Sequence, residues 1–580
     1  MATGSTASNG WRFGPVWLCV ALLAIHALLG FDAARKLTVT HDEYWHLPAG
    51  LAAWQTGRFD TDNLNPPLTR MWDTLPLAST AAKVDPTVPA GDLFQLGDRF
   101  LTQNREHYEF YLAIARSMNV LFSVITGLIL AIGANQLFGM KSACLAAALW
   151  SFCPTALANA ALVTPDSGAT CLFVATLFCC WRFSNRPTWR NAMLVGVLLG
   201  LAQLTKYTSL LLFPLCVASW LIIRVRNLAA PCVAWRTALG QWSGVIIVGL
   251  VVLNGGYLFE GTFKPLDTYR FQSRAMQQIA SALRPIDKLP VPLPRDYLQG
   301  LDHQRQMMEA PHPVYLDGTW SLIGFDEYYL RAVEYKLPHA TQALCLLGAF
   351  CVAFPGRLPR LARVQALLWL PILLLAGLAS FIGMQLGIRY VLPVLPLLYL
   401  FASQTARWLC WKRFRLWTCT LILAIAALPL SLRFHPEHLA YFNEWAGGPP
   451  GGRQHLLDSN LDWGQDLGGV AEYIRQHHMS EPGLNEIGLA YFGMLPPAQM
   501  GIAYHLPPSW RPEPGWYAVS VNFAYGRPHT ICNPDGTRRS ADFEEFGYFR
   551  RFTPAARIGS SIDLYHLTQD DILHKRQDQP

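Results

Sequence analysis

Apolar and polar positions fall in long alternating blocks along this chain, not at a short helical or strand period. Runs of the length a bilayer requires, about 17 to 25 residues, lie near 14–31, 111–137, 143–162, 167–182, 191–205, 207–223, 242–259, 339–355, 364–383, 388–406 and 414–432. They predict about eleven transmembrane helices, the runs at 167–182 and 191–205 being the shortest. Only Arg12 precedes the first run and no small-x-small site follows it, which reads as a retained helix and not a cleaved signal peptide.

Lys and Arg in short loops favour the cytoplasmic side. With the N-terminus inside, the inner loops hold Lys141; Arg182, Arg186 and Arg190; Arg224, Arg226 and Arg236; Arg357, Arg360 and Arg363; and Arg407, Lys412, Arg413 and Arg415. The short outer turns hold only Lys206 and Arg389. Three long polar segments then face outward: about 32–110, about 260–338 and the tail from 434. In the tail, "EIGLAYFGM", "GWYAVSVNFAYG" and "SSIDLYHL" read as strands and "GQDLGGVAEYIRQHH" as a helix. The expectation is a mostly α, polytopic membrane protein with a transmembrane domain over 1–433 and an extracytoplasmic α/β domain over 434–580.

Composition agrees. The chain of 580 residues is 52% hydrophobic and 15% charged, against about 25% charged in soluble proteins. Its mean hydropathy of +0.21 is an average of spans and large polar segments. The net charge of +7 is carried largely by the inner loops, so it does not indicate nucleic acid. Of 13 cysteines only Cys532 lies in an outer segment, so they read as small buried hydrophobes and not a disulfide framework. No C-x-x-C zinc pair and no N-x-[ST] glycosylation site occurs, and the second absence favours a bacterial inner membrane.

Candidate chemistry gathers on the outer side. "HDEYWHLPAG" places Asp42 and Glu43 just past the first span. They could cap the interfacial helix that follows, with carboxylates at its positive end. The same loop carries "DNLNPPLTRMW", with Asn65, a double proline and Arg70. "TPDSGAT" sets Asp166, "LTKYTSLL" sets Lys206 and "LGIRYVLPVLP" sets Arg389 at outer helix mouths. Asp166 could cap its helix, and the two cations could snorkel to lipid headgroups. Ionisable groups at membrane depth are nevertheless costly and mark function. "DSNLDWG" imitates the start of a calcium loop, but its glycine comes one place late and Gly469 stands where the closing Glu belongs, so it reads as a turn or substrate-facing loop.

Acids and cations at an outer membrane face suit sugar transfer from a lipid-linked donor. A carboxylate can take the acceptor proton, cations can hold the leaving phosphate, and a prenyl tail needs an apolar groove. A transporter or lipid flippase is the competing class, and a non-catalytic relative a third. The large outer mass, the lack of a repeat between halves and the placement of charge at the face instead of mid-bilayer speak for the enzyme.

In order along the chain, "HDEYWH", "NPPLTR", "TPDSGAT", "GLAQLTKYTSLLL", "PLPRDYLQGLD" and "GIRYVLPVLPLL" resemble the polytopic glycosyltransferases of the GT-C superfamily. Within it they resemble the protein O-mannosyltransferase-like and aminoarabinose-transferase-like family. "DSNLDWGQDL" resembles the opening of a C-terminal domain on some bacterial relatives. The resemblance implies Asp42 as general base with Glu43 beside it, and Asp166 as a second outer acid. It implies Lys206 and Arg389 near the donor phosphate, and Asn65 and Arg70 as further substrate contacts. Asn65 stands where O-mannosyltransferases carry His and aminoarabinose enzymes Lys. The implied partners are a polyprenyl-phosphate sugar and a protein, lipid or glycan acceptor. The carboxylates could hold a divalent cation, and a base plus cations could also work without one.

Overall fold

Helix length separates the apolar runs into two classes. The computed structural model describes residues 10–225, 235–353, 359–408 and 432–577. Among them, six helices are long and apolar enough to cross a membrane: Gly14–Lys36, Arg105–Phe138, Pro165–Asn185, Tyr207–Arg224, Trp235–Gly256 and Arg363–Ser380. A seventh is counted if Met140–Ser151 and Pro154–Ala160, bent by 62°, form one broken span. The chain is therefore a mostly helical integral membrane protein.

The remaining runs of the expected eleven fall short of that length or lie outside the described residues. The runs near 191–205 and 339–355 form helices of 15 residues each, Trp189–Gln203 and His339–Ala353. The run near 388–406 is broken by its prolines into a short 3₁₀ turn, Ile388–Val391, and a helix of 10 residues, Val394–Ser403. The run at 414–432 lies outside the described residues apart from its last position. Small residues allow the tightest helix crossing: a Cβ on Gly200 would sit 2.6 Å from the Gly249 carbonyl oxygen, so Trp189–Gln203 and Trp235–Gly256 meet backbone to backbone.

The second outer segment contributes a hairpin, β1 (Val314–Leu316) with β2 (Thr319–Ser321). The tail forms β3 (Ile487–Ala490), β4 (Tyr504–His505), β5 (Gly515–Ser520), β6 (His529–Cys532), β7 (Arg538–Ala541), β8 (Ala556–Ile558) and β9 (Ile562–Leu567). One sheet runs β4-β3-β5-β9-β8, parallel between β3 and its two neighbours and antiparallel elsewhere, and β6 pairs with β7 separately. The expected strands and the helix Leu467–His477 are present; the short β4 and β8 and the β6–β7 hairpin carry too little alternation to be read in advance.

The tail does not hang free of the rest. Leu467, Val470, Leu489 and Leu564 share a core with Tyr44, Leu47, Leu96 and Phe100 of the first outer segment. The Thr38 amide donates to the Gln465 carbonyl at 3.0 Å, and the His41 amide to the Trp463 carbonyl at 2.8 Å. The described cysteines are free thiols, and Cys532 is buried.

Candidate functional site

The first outer segment begins the site. Glu43 opens the helix Glu43–Thr56, with Asp42 at its N-cap position. Asp42 makes no side-chain capping bond there, so its carboxylate is free for other partners. Its Oδ1 lies 3.0 Å from His41 Nδ1, and its Oδ2 accepts from Arg389 Nη1 at 2.8 Å. Burial by itself would raise the Asp42 carboxyl, but the Arg389 guanidinium, the His41 hydrogen bond and nearby His46 hold it well below the usual carboxylate range.

Asp166 arrives from the opposite direction. Pro165 starts the helix Pro165–Asn185, and Asp166 in its first turn meets the positive end of the helix dipole. Gly168 lets that helix press on the first outer segment, since a Cβ there would fall 2.4 Å from Thr69 Oγ1. Asp166 Oδ1 accepts from Lys206 Nζ at 2.7 Å, and its Oδ2 stands 3.9 Å from Arg389 Nη1. Asp42, Arg389, Asp166 and Lys206 thus form one chain of charges, drawn from four separate stretches of sequence. Their side chains are 19%, 11%, 1% and 16% exposed, so three of the four keep contact with solvent.

The cations rest on aromatic faces. The Arg389 guanidinium lies 4.1 Å from the Trp463 ring centroid and Lys206 Nζ 4.5 Å from that of Tyr390. Arg389 is held in place from the tail. Gly387 turns with φ 98°, and a Cβ on it would lie 2.7 Å from Ser459 Oγ. Asn460 Oδ1 then accepts the Ile388 amide at 3.0 Å, and Ser459 Oγ donates to the Leu386 carbonyl at 2.6 Å. Buried Lys336 donates to the Asn460 and Leu439 carbonyls at 2.6 and 2.8 Å. Burial pushes the Lys336 ammonium well below the usual lysine range.

The segment that imitates a calcium loop is therefore the clamp that presents Arg389. Its Asp458, in the left-handed region at φ 61°, pairs with Arg527. Arg527 stacks over Phe492, and His529 lies 4.8 Å from His41, ring to ring. Among the described residues no group of three or more His, Cys, Asp or Glu side chains could hold a metal ion.

The other sequence-selected residues stand apart from the charge chain. Glu43 is fully buried: Arg116 Nε and Nη2 donate to it at 2.7 and 2.6 Å, the Val163 amide at 2.8 Å, and the Thr40 amide and hydroxyl at 2.9 and 2.8 Å. Burial raises its carboxyl and these partners, Arg116 foremost, more than reverse that. Glu43 is thus a brace that fixes the position of Asp42, not a group open to substrate. Arg70 is likewise engaged, donating to Asp62 Oδ2 at 2.6 Å beside His46 at 3.1 Å, which fixes the double-proline turn. Asn65 is half-buried at that turn. Among the described residues, no hydrogen bond or ion pair joins Glu43, Asn65 or Arg70 to the four-charge chain.

The sequence reading missed His41, Tyr390, Trp463 and Arg527. His41 and Tyr390 each adjoin a selected charge, which was the available signal; Trp463 and Arg527 become part of the site only through tertiary contact. Buried Asp73 was also missed. Both its oxygens lack hydrogen-bond partners, and burial together with the Glu43 charge pushes its carboxyl well above the usual range.

No curated protein matches the sequence. The fold aligns with ArnT from Cupriavidus metallidurans bound to undecaprenyl phosphate, at 13% identity and TM-score 0.45, covering 96% of this chain and 98% of that one. The same protein in its apo state aligns at 12% identity and TM-score 0.47, with the same coverage. The archaeal oligosaccharyltransferase AglB from Archaeoglobus fulgidus, in complex with an inhibitory peptide and a dolichol-phosphate, aligns at 11% identity and TM-score 0.44, covering 91% of this chain and 74% of that one. Residues 111–248 match the family model of dolichyl-phosphate-mannose-protein mannosyltransferases, and that stretch contains both Asp166 and Lys206. Through that segment, about a quarter of its length, the chain is similar to the dolichyl-phosphate-mannose-protein mannosyltransferases.

Proposed function

We propose that the protein moves a sugar from a polyprenyl-phosphate donor to an acceptor hydroxyl at the outer face of a bacterial inner membrane. The observation that carries this reading is the partly open chain Asp42–Arg389–Asp166–Lys206, with two cations and two anions in direct contact. A polyprenyl-phosphate sugar is a phosphodiester with one negative charge, and the departing polyprenyl phosphate has more. Arg389 and Lys206 supply positive charge where this negative charge develops, which is the differential stabilisation that accelerates the step. Asp42 supplies the basic pole on the acceptor side.

An apolar cavity of about 500 Å³ opens among Trp54, Pro67, Leu68, Trp72, Leu204 and Leu258. It borders the double-proline turn and comes within two residues of Lys206, so it suits the first isoprene units of the donor. The N-terminus is then cytoplasmic, and 434–580 acts as an extracytoplasmic cover that shapes the acceptor side. The dolichyl-phosphate-mannose family supports a hexose donor.

The test supplies a radiolabelled polyprenyl-phosphate mannose to native membranes and follows release of free polyprenyl phosphate. The parent protein should release it, and Asp42→Asn should lower release by about 10² to 10⁴, the range associated with loss of general-base assistance. Parental turnover in a folded Asp42→Asn protein would return this acid to a purely structural role.

A further inference from the structure

We infer that His41 Nε2 is the atom that receives the acceptor's proton, and that Asp42 acts on the acceptor by orienting His41. This rests on the glycosyl-transfer reading above and refines it, since the family resemblance implies that Asp42 itself takes the proton.

Ionised Asp42 can only accept, and its Oδ1 lies 3.0 Å from His41 Nδ1. The proton of neutral His41 therefore sits on Nδ1, and the lone pair sits on Nε2. Among the described residues no hydrogen bond reaches Nε2, and the side chain is 15% exposed, so this lone pair is uncommitted in a side chain that keeps contact with solvent. Asp42 is less available. Its Oδ2 is engaged by Arg389 at 2.8 Å, and that cation makes the carboxylate a weaker base. A carboxylate fixing an imidazole tautomer, with the far nitrogen facing the reacting hydroxyl, is the division of labour that acid–histidine pairs use elsewhere.

Aromatic rings flank His41. The Trp45 ring packs edge-on at 4.7 Å and Phe492 lies at 6.0 Å. From the tail, His529 stands 4.8 Å away with its Nδ1 3.1 Å from the Thr530 carbonyl, so it donates there. Burial, His41 and Arg527 hold His529 well below the usual histidine range, so it adds no charge beside His41. Arg527 is committed to Asp458. Among the described residues, the charged group paired with the His41 ring is the Asp42 anion, which stabilises an imidazolium. In the step, the acceptor O–H proton passes to Nε2 while the oxygen bonds to the anomeric carbon. The bond from that carbon to the phosphate oxygen breaks, and its electron pair leaves with the polyprenyl phosphate between Arg389 and Lys206. The imidazolium then returns its proton to solvent.

Two variants test this in native membranes with polyprenyl-phosphate mannose as probe. His41→Asn keeps an N–H near the Nδ1 position, and so the contact with Asp42, but has no proton acceptor. It should fold and bind the donor while releasing polyprenyl phosphate at least 100-fold more slowly, the lower end of general-base assistance, about 10². His41→Ala should show the same deficit, and added imidazole should restore release by tenfold or more. A purely structural histidine would not give that response. Release within about threefold of the parent in His41→Asn, or a His41→Ala deficit that imidazole leaves unchanged, overturns the inference. Failure of the parent protein to use the donor at all would instead count against the glycosyl-transfer reading, so the two failures are distinct.

Discussion

Neighbouring acids with the same charge have opposite consequences here, and substituting each in turn separates them. Glu43→Gln is nearly isosteric but removes the charge that faces Arg116, which is fully buried. Arg116 also donates to the Ala34, Leu37 and Thr38 carbonyls at 3.2, 2.7 and 2.9 Å, so it is fixed where it is and has no route to water. One Gln oxygen can serve part of the partner set, but its amide nitrogen faces the guanidinium or the Thr40 and Val163 amides, donor against donor. Leaving one member of a buried ion pair uncompensated costs about 3–5 kcal/mol. For domains of 150–250 residues each kcal/mol shifts the unfolding midpoint by about 2–4 °C. The larger transmembrane unit should therefore lose at least a few degrees in a thermal scan of detergent-solubilised protein, and membrane yield should fall with it. Asp42→Asn should lower the same midpoint by less than Glu43→Gln does, because that side chain is partly solvated and Arg389 keeps Asp166 at 3.9 Å and its aromatic supports. The direction of the Glu43 shift adds a pH signature. Its folded carboxyl lies below its unfolded value, so the stabilisation is present at neutral pH and is lost only as pH falls through the depressed value. A Glu43→Gln midpoint equal to the parent's, or a larger loss in Asp42→Asn than in Glu43→Gln, would refute the assignment of brace and reactive pole.

Lys206→Ala and Arg389→Ala should each weaken binding of the lipid donor about tenfold or more, since a charge-assisted hydrogen bond is worth about 1.5–3 kcal/mol; unchanged binding in both folded variants would remove the phosphate from this position. The tail should face outward, but Cys532 is too buried to report it. Met479, 83% exposed, is the better site, and Met479→Cys should react with an impermeant maleimide applied from the outside of intact cells. Asp466 is pushed up to about 7, first by burial and then by Glu437 and Asp462. Its raised value means that its contribution to stability is complete below the unfolded value near 4 and is lost as pH rises to about 7. Asp466→Asn should flatten the pH dependence of the thermal midpoint between pH 4 and about 7, and an unchanged dependence would assign it elsewhere.

Much of the site was legible because charge is scarce in this sequence. Four ionisable residues at outer helix mouths stand out against apolar runs, and those four meet in the structure. Glu43 and Arg70 stood out by the same rule; the partner of Glu43, Arg116, lies 73 residues away and leaves no local pattern, whereas Asp62, only 8 residues before Arg70, was a local signal left unread. Helix continuity was not legible where prolines cut the 388–406 run, since hydropathy sums over a proline break without registering it. The role of 458–466 was only half readable. Its turn chemistry was visible, whereas its contacts with Ile388 and Leu386 depend on how the tail docks.

That docking has a temporal consequence. Arg389 leaves the ribosome well before Ser459, Asn460 and Trp463, the residues that shape and cover its position. Until the final quarter of the polypeptide has been translated and seated, the earlier segments have the charges but not their arrangement. A nascent or prematurely terminated chain could therefore occupy the bilayer with every span in place and still be inert toward lipid-linked sugars. The last-made part of the molecule acts as a completion check on the first-made part, and limited proteolysis after residue 434 should silence the protein without extracting it from the membrane.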